Sequence, residues 1–63
     1  MEWELWNDTD GIPASLEPFK TEREALAFAQ AFRARFARQG YYLTADQQRI
    51  APEDVALVPR RID

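Results

Sequence analysis

The chain has no histidine and no cysteine, and it carries only one serine, Ser15, one lysine, Lys20, and two glycines, Gly11 and Gly40, in 63 residues. Each shortage removes a kind of chemistry. Without cysteine there is no disulfide and no thiolate zinc site, the usual supports of a very small domain. Without histidine no side chain ordinarily titrates near neutral pH, so Ser15 or a threonine would have only Lys20 or a shifted carboxylate as its base. Two isolated glycines cannot build a phosphate-cradling loop. Gly11 and Glu17 have the mutual spacing of two calcium-loop positions, but the first ligand position then falls on Trp6, and Pro13 interrupts the loop. Asp8 to Gly11 is therefore expected to be a plain turn. The chain is read as non-enzymatic, with no catalytic residue, no metal site and no cofactor.

What is present reads as one folded domain spanning residues 1–63. Hydrophobic residues make up 46% and charged residues 30%, ordinary globular proportions rather than those of a disordered chain. A chain this short buries only ~60% of the surface its unfolded form exposes, so its stability margin is thin and packing must supply all of it. The first twenty residues have neither a basic segment nor an apolar run of leader type, and a cytoplasmic location is expected. Residues 1–24 carry seven acids against Lys20 and Arg23, whereas residues 25–63 carry six arginines against four acids. The two halves are thus oppositely charged in sequence.

Local patterns place the elements. Glu2-Trp3-Glu4-Leu5-Trp6 alternates with period two, which sends Trp3 and Leu5 to one face and Glu2, Glu4 and Trp6 to the other. Asn7 to Gly11 is a run of turn formers. Pro13 and Pro18 limit the next segment to a short, irregular edge strand, with Phe19 as its anchor in the core. Thr21-Glu22-Arg23-Glu24 has the form of a capping box and opens a helix over about 22–39, which Gly40 closes. On that helix Ala25, Phe28, Ala29, Phe32 and Phe36 share one face and form the core stripe. Tyr41 to Thr44 is expected to be a strand, with Arg49-Ile50 pairing back across a hairpin. Val55 to Val58 reads as a last strand that Pro59 limits, leaving 59–63 as an extended or frayed tail. The predicted fold class is α+β, a single helix packed on one face of a small, mainly antiparallel sheet of three to four strands.

A sheet covered by one helix has a second face. Alternation sends Trp6, one of Tyr41 and Tyr42, Ala56 and Val58 there, so Trp6, Tyr41, Tyr42 and Val58 are the candidate partner-binding residues. The expected partner is a protein, either another chain or a second copy in a homodimer, which makes this a regulatory or accessory protein. The alternative is a single-stranded nucleic-acid module that uses the same aromatics together with the arginines. Glu2 and Glu4 on the same face would repel phosphate and count against it. No membrane and no small-molecule substrate is indicated.

Overall fold

The computed structural model describes residues 2–62. Its one long element starts and stops where local chemistry dictates. The Thr21 hydroxyl accepts from the Glu24 amide at 3.1 Å, and the Glu24 carboxylate accepts from the Thr21 amide at 3.1 Å. This reciprocal box satisfies donors that the first helical turn cannot use internally. The helix, α1, runs over Glu22–Gln39 and ends at Gly40, whose φ of 93° is the left-handed conformation glycine adopts without strain. Thr21→Ala removes the hydroxyl acceptor and is expected to lower stability by about 1 kcal/mol, read as a lower urea midpoint at unchanged slope.

The strands are β1 (Glu2–Asn7), β2 (Ile12–Pro13), β3 (Tyr42–Leu43), β4 (Arg49–Ile50) and β5 (Leu57–Ile62), with a turn of 3₁₀ helix at Pro52–Asp54. They form a three-stranded antiparallel sheet in the order β2-β1-β5 and a separate β3-β4 hairpin. Turn residues do the connecting between β1 and β2. The Gly11 amide donates to the Asn7 carbonyl at 2.8 Å, and Gly11 sits at a φ of 70°. The fold class is the α+β arrangement the patterning predicts.

Two expectations need correction. The last strand starts at Leu57 rather than Val55 and does not stop at Val58, and of the two readings of the tail the extended one holds up to Ile62: β5 pairs with β1 over its whole length, from Asn7–Leu57 to Glu2–Ile62. Asp63 lies outside the described residues. Pro59 is tolerated because of the direction its backbone faces. Trp3 exchanges hydrogen bonds with Phe19, and the Leu5 carbonyl accepts from Ala14, so the odd residues of β1 bond toward β2, while its even residues bond toward β5. Pro59 stands opposite Leu5. Its missing N–H would therefore have pointed away from β1, and no ladder bond is lost.

The second correction concerns the core stripe. Ala25 and Ala29 are buried under the sheet, whereas Phe28, Phe32 and Phe36 are only half-buried. The small side chains let the helix backbone approach the sheet closely, which displaces the phenylalanines to the flank. There Phe28 meets Phe19 at 5.4 Å between ring centroids. Phe32 and Phe36 lie 6.0 and 4.9 Å from Tyr42. Through Tyr42 they join the helix to the hairpin. On the other flank Arg33 donates to the Val55 carbonyl at 3.0 Å, tying α1 to the segment before β5.

Candidate functional site

The even residues of β1 and β5 point away from α1 and build the outward face of the sheet. The register sets them in three rows: Pro13, Trp6 and Val58; then Glu4 and Arg60; then Glu2 and Ile62. Val58 and Ile62 are each 42% exposed, and Trp6 is half-buried. Among the described residues no second layer lies over this face. The Arg60 guanidinium lies 4.2 Å from the Trp6 ring centroid, and it donates to Oε1 of Glu4 at 2.8 Å from Nη2 and 3.2 Å from Nε. A cation on the indole, itself neutralised by a carboxylate, covers part of the ring and leaves the rest beside Val58 and Pro13.

Trp6 and Val58 thus stand side by side, but the two tyrosines do not join them. Both belong to the hairpin segment, not to the three-stranded sheet. Tyr41 is half-buried beneath the Arg49 guanidinium, 4.5 Å from its ring centroid. Tyr42 turns inward and is 7% exposed. Its hydroxyl explains why: a buried phenol needs polar partners, and the turn after β1 offers them. Asn7 Nδ2 donates to the Tyr42 hydroxyl at 3.0 Å, and that hydroxyl donates to Oδ2 of Asp10. Oδ1 of Asp10 accepts from the Ala45 amide at 2.9 Å, while Oδ1 of Asn7 accepts from the Asp10 amide at 3.1 Å. By their sequence context Asn7 and Asp10 are turn residues only. Their second role depends on a tyrosine more than thirty positions away, for which no local pattern exists.

This network moves its two titratable groups in opposite directions. The Tyr42 hydroxyl, helped by the Ala45 amide, holds the Asp10 carboxyl below its ordinary value of 3.8, against a smaller contrary effect of burial. Burial, and then the hydrogen bond to Asp10, pushes the Tyr42 phenol above its ordinary 10.0. Both groups move away from neutrality, so the pair is suited to a fixed structural tie and poorly suited to proton transfer near pH 7.

At the β2 side of the outward face, the loop of residues 14–18 carries Leu16, which is fully exposed. A shallow cleft of about 300 Å³ runs between this loop and the sheet, lined by Glu2, Glu4, Glu17, Leu16, Pro18 and Ile62 among others. Among the described residues no group of three or more acidic side chains is arranged to hold a metal ion, and no helix is long and apolar enough to cross a membrane. No model of a known protein family matches the chain, and no curated protein or solved structure does either.

Proposed function

We propose that this chain is a small, non-enzymatic protein-binding protein, a regulator or accessory subunit working in the cytoplasm, that engages its partner through the outward face of the three-stranded sheet. The observation that carries this reading is the row of Pro13, Trp6 and Val58 on a face that α1 leaves uncovered. An indole flanked by apolar side chains and rimmed by charge is the usual make-up of a protein-binding hot spot. The non-enzymatic part is supported by composition, since with no histidine and no cysteine the side chains that most often transfer protons or attack as nucleophiles near neutral pH are missing. A protein partner fits better than a nucleic acid. Arg60 is the one arginine in the three rows and is already paired with Glu4, while Glu2 adds a further negative charge beside them.

Position 58 is the place to test this, because Val58 is exposed beside Trp6. A photoreactive residue introduced there is expected to give polypeptide adducts in cell extract that survive nuclease and disappear when Trp6→Ala is added. Nuclease-sensitive adducts would move the reading to the nucleic-acid alternative. Adducts identical to those from a control position on the helix exterior, such as Gln30, would take the outward face out of the account.

A further inference from the structure

The pattern of the outward face is complementary to itself in one orientation. A two-fold axis parallel to β1 and β5, passing between them in the plane of contact, would lay each row of one copy over the same row of the other and exchange the strands. Trp6 of one copy would then meet Val58 of the other, and Glu4 would meet Arg60, in both directions at once. An axis across the strands through the middle row would instead oppose Glu4 to Glu4 and Arg60 to Arg60. Like charges in that position disfavour the pairing.

We infer that the outward face takes a second copy of this chain, in a two-fold sandwich with the sheets inside and the helices outside. The inference rests on the reading of this face as a protein-binding surface and names its occupant. Sheets packed face to face stay roughly 10 Å apart and close to aligned, within reach for Glu4 and Arg60 side chains. Their chemistry leaves capacity for the second contact. Both hydrogen bonds within one chain end on Oε1 of Glu4, from Nε and Nη2 of Arg60, so Oε2 and Nη1 take no part in that pair. A second copy can turn each pair into a four-membered charge network while Trp6 gains an apolar cover.

The size of the face sets the strength. The axis superposes β1 and β5 of the two copies and leaves the two-residue β2 at the rim, so the overlap is two six-residue strands roughly 20 Å long and roughly 10 Å wide, a flat area of about 200 Å². Stable interfaces bury about 800 Å² of accessible surface from each partner, so this is a weak dimer, micromolar or weaker in dissociation constant.

The test is solution mass by light scattering, over a concentration series reaching about 0.5 mM, for the full chain and four variants whose folding is checked by circular dichroism. The parent is expected to pass from monomer to dimer. Glu4→Arg alone and Arg60→Glu alone each weaken dimerisation at least ~10-fold, because each places like charges across the axis. An equimolar mixture of these two variants recovers the dimer, since one now presents two positive charges and the other two negative ones. The double exchange Glu4→Arg with Arg60→Glu behaves as the parent, which separates lost pairing from lost folding. Trp6→Ala dissociates the dimer without changing charge. A parent that stays monomeric throughout overturns the self-pairing, while adducts at position 58 to other polypeptides would leave the broader reading standing. A dimer indifferent to all of these substitutions uses another surface and overturns the self-pairing of this face, the broader reading then being decided by the adducts at position 58.

Discussion

Replacing Leu5 with alanine is expected to be the most destabilising single truncation in this protein, costing about 4 kcal/mol. Leu5 is 0% exposed and is the largest of the fully buried side chains, in β1, the central strand between β2 and β5. The rest of the buried apolar set is small: Ala25, Ala29, Tyr42, Pro52 and Val55 among the described residues. Because the helix approaches on alanines, few neighbours can shift to refill a cavity. A buried leucine truncated to alanine costs ~2–5 kcal/mol, the upper part of that range applying where collapse is restricted. A chain of this length has roughly 3–9 kcal/mol in total. At about 4 kcal/mol, one substitution removes from nearly half of the margin to all of it. Urea unfolding followed by tryptophan fluorescence reads it directly, and Leu16→Ala, at a fully exposed position, serves as the control expected to stay within about 0.5 kcal/mol of the parent. A Leu5→Ala protein that unfolds with the parent would mean that the stabilising core lies elsewhere.

The second large effect is expected from a single oxygen atom. Tyr42→Phe keeps the ring against Phe32 and Phe36 and deletes only the hydroxyl that links Asn7 to Asp10. The Asn7 side chain is 2% exposed, so its amide donor is left without a partner and without water. An orphaned buried donor costs ~1–3 kcal/mol, and the Asp10 carboxylate loses its strongest contact as well. The network also joins the turn after β1 to the hairpin, so the loss should show as faster amide exchange at Ala45 before global unfolding.

The same variant predicts a change in pH dependence. The Asp10 carboxyl is held below its unfolded value of 3.8, so its contribution is complete above that pH and is lost as pH falls through the folded value. The Tyr42 phenol is held above its unfolded value of 10.0, so its contribution is complete below that pH and is lost as pH rises through the folded value. The stability difference between parent and Tyr42→Phe should thus be level between about pH 4 and pH 10 and shrink on both sides. Urea midpoints for the two proteins, taken within that range and beyond both of its ends, test it. A difference that stays constant into acid would remove Asp10 from the network.

The helix is the part of this protein that the amino-acid order determined alone. Its first donors are satisfied by Thr21 and Glu24, three residues apart, its end by the left-handed Gly40, and its interior by residues that lose little freedom on forming it. The turn at Asn7 to Gly11 and the β3-β4 hairpin are of the same kind, since backbone bonds a few residues apart decide them. The alternation in β1 likewise separated Leu5 from Trp6 without knowledge of any neighbour. Tertiary structure alone decided which strands stand beside β1, and much followed from that. Glu4 and Arg60 meet across 56 positions because the two ends of the chain pair. Pro59 lies within a strand because β5 is at the edge and its nitrogen faces away from β1. Tyr42 turned inward because Asn7 and Asp10, 35 and 32 residues earlier, satisfy its hydroxyl. Ala25 and Ala29 displaced the phenylalanines from the centre because close approach to the sheet rewards small side chains, and a helical period cannot say how near the sheet will come. Propensity and capping act within one or two turns of chain, whereas hydrogen-bond partners of buried polar groups and the spacing between layers are set by segments that meet only on folding.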